Sequence, residues 1–212
     1  MKQVEKGKFI VVEGPDGCGK STQIKKLYQY IKEELQQPVV LTKEPGGTAI
    51  SNKIRAILLD PDNEALKDKT ELLLYAASRA QHVEEFIKPQ LASGRHVLCD
   101  RFVDSTIAYQ GFGRGLDMQL IKQLNQIATD GLTSDISICI MVRTEEALQR
   151  IAAKREFDRL EQNEVAFHQK TYEGYQQLLK EDSSKIYIDG AGDEHEVFQR
   201  IKAQITHLLE ER

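Results

Sequence analysis

Residues 9–21 read Phe9-Ile10-Val11-Val12-Glu13-Gly14-Pro15-Asp16-Gly17-Cys18-Gly19-Lys20-Ser21. Four apolar residues in a row, followed by Glu13 and then glycine, predict a buried strand that ends in a sharp turn. From Gly14 the residues fit G-x-x-x-x-G-K-[ST] at every fixed position. A chance match somewhere in a chain this long has a probability on the order of 1%. Glycines let the backbone wrap phosphate oxygens, so that successive N–H groups and the N-terminus of the following helix face the anion. Lys20 then neutralises the β and γ phosphates, and the Ser21 hydroxyl ligates Mg2+. The expected nucleotide-binding residues are therefore Gly14, Pro15, Asp16, Gly17, Cys18, Gly19, Lys20, Ser21 and Thr22. A loop of this kind says nucleotide. It leaves kinase, GTPase and motor open.

Outward from the loop, short apolar runs at 8–13, 38–42, 96–99, 136–141 and 185–188 predict five strands. Helical periodicity falls between and after them, at about 21–35, 48–58, 67–88, 118–129, 144–153, 164–179 and 194–209. Strands alternating with helices predict an α/β chain of the P-loop NTPase class, with a five-stranded parallel sheet flanked by helices on both faces. Residues 1–212 read as a single domain. A densely charged, weakly periodic stretch at 154–164 predicts a small mobile lid within it, bounded at about 150–163.

Composition narrows the partners. The 212 residues are 40% hydrophobic and 29% charged, with a formal charge of -4 and no tryptophan, which is the profile of an ordinary globular protein. No dense Lys/Arg run is present, so a grip on a nucleic-acid polymer is not expected. Cys18, Cys99 and Cys139 are odd in number and widely spaced, and no CxxC or Cys/His pairing accompanies them. Free thiols in a reducing compartment are expected, not a metal site. The opening residues offer neither a leader pattern nor a membrane span, which fits a cytoplasmic enzyme without a membrane partner.

Guanine readers carry N/T-K-x-D after a strand, whereas Thr42-Lys43-Glu44-Pro45 has proline in place of the aspartate. Motors need more chain for coupling than remains here. A small phosphotransferase is favoured. The strand His96-Val97-Leu98-Cys99 ends in Asp100-Arg101, a carboxylate and a guanidinium at the carboxyl edge of the sheet, where open α/β proteins bind ligands. Asp100 is placed to hold Mg2+ through water or to order the loop, and Arg101 to grip an acceptor phosphate. The plainer alternative, a surface pair capping a turn, stays open at this point.

Three further motifs follow in order: Lys43-Glu44-Pro45-Gly46-Gly47-Thr48, Asp100-Arg101-Phe102 and Asp104-Ser105-Thr106-Ile107-Ala108-Tyr109-Gln110-Gly111. Together with the loop they resemble the bacterial thymidylate kinase family over nearly the whole chain. The resemblance implies transfer of the γ-phosphate of Mg-ATP to dTMP, forming dTDP and ADP, by a homodimer. It implies that Tyr75 stacks on thymine, that Arg79 reaches the base O4, and that Thr106 and Gln110 complete the base-edge hydrogen bonds. By the same resemblance Arg55 and Arg101 hold the acceptor phosphate, Glu44 lies near sugar and metal, and Tyr109 discriminates against a ribose 2′-hydroxyl. Family members carry a basic residue either in the loop or in the lid. Here Gly17 occupies the loop position, while Arg150, Lys154, Arg155 and Arg159 crowd the lid. Arg159, in Asp158-Arg159-Leu160-Glu161, is expected to close on the transferring group.

Three residues depart from the family pattern: Lys43 for a frequent arginine, Tyr75 for the usual phenylalanine, and Met141 for a common aspartate. They bear on base preference and leave the reaction class alone. The acceptor oxygen of a monophosphate is already anionic near neutrality, its second pKa lying near 6, so no general base is expected. The expected catalytic set is Lys20, Asp100, Arg101 and Arg159, with Ser21 and Asp100 at Mg2+. Two alternatives remain at this stage: another monophosphate or deoxynucleoside as acceptor, and a nucleotide-binding switch with no acceptor.

Overall fold

The computed structural model describes residues 6–153 and 157–210. Five strands, β1 (Phe9–Glu13), β2 (Val39–Lys43), β3 (His96–Asp100), β4 (Ile136–Met141) and β5 (Ile186–Asp189), form one sheet in the order β2-β3-β1-β4-β5. Every pairing is parallel. β1 is central and buried along its whole length, which explains its unbroken apolar run.

Alternate residues of the strands feed opposite faces. Ile10, Val12, Leu98, Ile138 and Ile140 pack with Ile24, Leu27, Ile31, Val197, Ile201 and Ile205, from α1 (Lys20–Gln29), its extension and α9 (Glu194–Glu210). Phe9, Val11, Val97 and Cys99 face the other way, onto Val83, Ile87 and Leu91 beyond the end of α3 (Asp68–His82). Cys139 and Met141 pack there too, among Ala108, Tyr109, Phe167, Tyr175 and Leu178. Met141 is buried and packs with the apolar side chains of this cluster, and nothing in the structure explains the third departure.

The expected strands and helices are all present, and the differences are local. The helix expected at 21–35 is α1 followed by a π-helical turn, Tyr30–Glu34. The one expected at 67–88 is α3, a π-helical turn at Val83–Ile87, and then α4 (Lys88–Ala92), in which Pro89 sits in the first turn, where no N–H is missed. α2 (Ala49–Leu59), α6 (Met118–Thr129), α7 (Thr144–Ala152) and α8 (Val165–Glu181) lie where periodicity put them. No helix was expected at 103–113, yet α5 (Val103–Thr106) runs into a π-helical turn, Ile107–Gly113. Its two glycines weaken intrinsic helicity. Packing of Ala108 and Tyr109 against Phe167 and Tyr175 of α8 supplies what local propensity does not. Of the lid bases, Lys154 and Arg155 lie outside the described residues.

Candidate active site

The loop leaves β1 at Gly14 and enters α1 at Lys20, with Gly19 at φ 92° as the residue before the helix. Gly17, at φ 77°, packs so closely on α7 that a Cβ would stand 2.3 Å from the Ala147 carbonyl oxygen. No basic side chain fits there, and cationic charge must enter from elsewhere. The Lys20 ammonium donates to the carbonyls of Gly14 and Pro15, each at 2.8 Å, which pins it across the mouth of its own loop. The first N–H groups of α1 have no intrahelical acceptor and point the same way.

β3 ends beside this loop because Val12 lies opposite Asp100 in the sheet register. Asp100 Oδ1 is buried with no hydrogen-bond partner among the described residues, and its residue lines the same cavity as Lys20, Ser21 and Thr22. A buried carboxylate oxygen with nothing to accept from suits a divalent cation or its water, so the donor set fits Mg2+. Among the described residues there is no cluster of three His, Cys, Asp or Glu side chains able to hold a metal alone, and substrate phosphates must complete such a site.

Arg101 follows at φ 71°, a conformation costing ~1–3 kcal/mol for a residue with a side chain. Its bonds hold it there. One terminal nitrogen donates to the Gly14 carbonyl at 3.0 Å and to Ser105 and Tyr175 at 3.1 Å. The other donates to Asp16 Oδ1 at 2.5 Å and to the Tyr109 hydroxyl at 3.0 Å. Burial alone would raise the Asp16 carboxyl, but Arg101 and Lys20, with the bond from Tyr109, hold it well below the usual carboxylate range. Beneath them lies Glu13, which accepts from the Phe102 N–H at 2.7 Å, the Ser105 hydroxyl at 2.6 Å and the Tyr175 hydroxyl at 3.0 Å. Burial, and then the nearby Asp104 charge, push its carboxyl up. Nothing in the motifs pointed to Glu13 or Tyr175, which act through Arg101 and its loop.

All eight residues expected on the acceptor side, Glu44, Arg55, Tyr75, Arg79, Arg101, Thr106, Tyr109 and Gln110, line one cavity. Pro45, Leu59, Phe102, Ser105, Asp158 and Leu160 complete its wall, with Asp16 from the loop. It adjoins the loop's own cavity, and Asp16, Glu44, Arg55, Arg101 and Asp158 line both. Asp16, expected only as a loop residue, thus also faces the acceptor side.

Arg79 is buried among three acceptors: Glu44 Oε2 at 2.7 Å, Asn125 Oδ1 at 2.6 Å and the Phe102 carbonyl at 2.9 Å. Glu44 is held in turn by His82 at 3.1 Å, whose other nitrogen meets Thr42 at 2.7 Å. Gly47 is what admits this histidine, since a Cβ there would lie 2.3 Å from His82 Nε2. Thr106 Oγ1 is buried without a hydrogen-bond partner among the described residues. The Tyr75 hydroxyl has no hydrogen-bond partner among the described residues, and burial, then Glu71, push its pKa up. The phenol therefore stays neutral. Tyr109, expected against a ribose 2′-hydroxyl, commits its own hydroxyl to Asp16 Oδ2 at 2.7 Å.

One expected residue is not brought to the phosphate loop. Arg159 does not line the loop's cavity; its guanidinium donates to the Leu58 carbonyl at 2.8 Å and pairs with Glu71. The physical reason is that buried carboxylate, which no motif flagged. Arg150 is the lid-side arginine next to the loop, donating to the Gly17 carbonyl at 3.4 Å and pairing with Glu146. Burial keeps the Cys99 and Cys139 thiols up, and all three cysteines are free.

Known proteins are similar to this chain along nearly its whole length. A sequence model of the thymidylate kinase family matches residues 12–201. A thymidylate kinase of Trichodesmium erythraeum (strain IMS101) is 48% identical over 97% of this chain and 97% of its own. One from Geotalea uraniireducens (strain Rf4) is 47% identical over 97% and 99%. A crystal structure of thymidylate kinase from Ehrlichia chaffeensis superposes with a TM-score of 0.77 at 33% identity, covering 95% of this chain and 99% of that one. The loop, the strand edge and the cavity all fall within these matches, and the chain belongs to the thymidylate kinase family.

Proposed function

We propose that the chain transfers the γ-phosphate of ATP to dTMP, giving dTDP and ADP. The observation that carries this is the pair of adjoining cavities that share Arg101 and Asp16, one under the phosphate loop and one lined by every acceptor-side residue. An oxygen of the dTMP phosphate attacks the γ-phosphorus as its bond to the β–γ bridging oxygen breaks, and ADP leaves. The acceptor oxygen is already anionic, so positioning and charge carry the step. Lys20 turns from its loop carbonyls to the donor phosphates. Arg101 and Arg55 hold the acceptor phosphate, Tyr75 lies on the base, Arg79, Thr106 and Gln110 read its edge, and Tyr109 with Asp16 closes the sugar end. Ser21 and Asp100 would hold Mg2+, which supplies charge neutralisation at the donor phosphates when bound.

Residues of about 150–163 act as the lid, and Arg150 is its cation nearest the loop. The protein works as a homodimer, a reading supported by the half-exposed Ile50 and Ile57 on α2 and Leu73 on α3. No helix among the described residues is long and apolar enough to cross a membrane, and the free, buried thiols suit a cytoplasmic location. Neither another acceptor nor a switch without acceptor gains support from the site. ADP formation that depends on added dTMP tests the proposal; ATP turnover indifferent to dTMP would reject it.

A further inference from the structure

Glu71 is fully buried on α3, four residues before Tyr75 and eight before Arg79, and it is not part of the cavity wall. Its partners among the described residues are all donors. Gln110 Nε2 lies 2.8 Å from Oε1, Arg114 reaches both oxygens at 3.4 and 3.2 Å, and Arg159 reaches Oε2. Burial works to raise this carboxyl, but the Gln110 bond and the two arginines outweigh it and hold it below the ordinary range. An ionised carboxylate only accepts. Gln110 must therefore turn its NH2 toward Glu71, and its carbonyl, at the other end of a planar amide, has no partner among the described residues. Gln110 and Arg79 both line the cavity, so its wall carries a fixed acceptor in that carbonyl and, in Arg79, a group that offers donors only.

An acceptor next to a donor matches a pyrimidine that shows N3–H beside a 4-oxo group. Cytosine shows the reverse at both positions. We infer that Glu71 is a specificity-determining positioning residue: it holds the Gln110 carboxamide with its carbonyl toward the base and so selects thymine-type pyrimidines over cytosine. This rests on the proposed function, since it takes dTMP to occupy the cavity.

The test is titration of dTMP, dCMP and N3-methyl-dTMP into the wild type, Glu71→Gln and Glu71→Asp, with melting curves to establish folding. Glutamine at 71 can donate as well as accept, which frees Gln110 to turn over. The preference for dTMP over dCMP is expected to fall ~10-fold in Glu71→Gln, the size of one hydrogen bond, and less in Glu71→Asp, which keeps an acceptor-only group. A wild-type preference retained in Glu71→Gln, or lost equally in both variants, overturns the inference. If neither variant folds, the wild type decides, because it must bind N3-methyl-dTMP far more weakly than dTMP; equal binding overturns the inference. A wild type that binds no dTMP at all overturns instead the functional reading beneath it.

Discussion

The Arg101 guanidinium donates to Asp16 Oδ1 at 2.5 Å, so the end of β3 is tied to the phosphate loop by a side-chain pair. The same arginine lines both cavities, and the proposed function makes it the wall between donor and acceptor. Arg101→Lys keeps the charge and loses the fork. Its kcat/KM for dTMP is expected to fall by about 100-fold, with the KM for ATP moving far less. A rise confined to the ATP KM would show that Arg101 serves the donor side.

The pair also sets a pH dependence. The Asp16 carboxyl lies well below its ordinary value near 3.9 in the folded state, because Arg101 and Lys20 outweigh its burial. A depressed acid contributes stability that is complete above the unfolded value and is lost as pH falls toward the folded one. The melting-temperature gap between the wild type and Asp16→Asn is therefore expected to be widest near pH 7 and to shrink as pH drops through about 4. A gap that widens on acidification would contradict the sign.

Lys20 donates to the Gly14 and Pro15 carbonyls, contacts an anion can replace. Lys20→Ala should fold, as judged by its circular dichroism, and lose about 100- to 1000-fold in kcat, because the withdrawn charge matters most when the transferring group is between its two oxygens. Near-normal turnover in a folded variant would remove the loop from the mechanism.

Tyr75→Phe isolates the phenol that departs from the family pattern. Its hydroxyl bonds to no described residue, and the residue lines the cavity in which we propose the base to lie. The dTMP KM is expected to stay within about threefold of the wild type. A tenfold rise would mean that the hydroxyl reads the base directly.

Much of this was legible beforehand, and what was hidden has a common cause. The four apolar residues 9–12 before the glycine loop placed a buried strand, since full burial shows as an unbroken apolar stretch. The acceptor-side residues were legible only through resemblance; no spacing joins Arg55, Tyr75 and Gln110, which meet in one cavity because α2, α3 and the turn at 107–113 pack together. The helical course of 103–113 was hidden because two glycines mask it and α8 enforces it. The ion pair that holds Arg159 was hidden for a similar reason. Its partner Glu71 is 88 residues away in sequence and reads locally as one more charged helix position.

The most direct test of the central claim is a kcat/KM profile with saturating Mg-ATP and dTMP, dUMP, dCMP, dGMP or UMP as acceptor. dTMP is expected to lead every other acceptor by at least about tenfold, with one dTDP and one ADP formed per turnover. Equal or faster turnover of any other monophosphate would contradict the assigned acceptor.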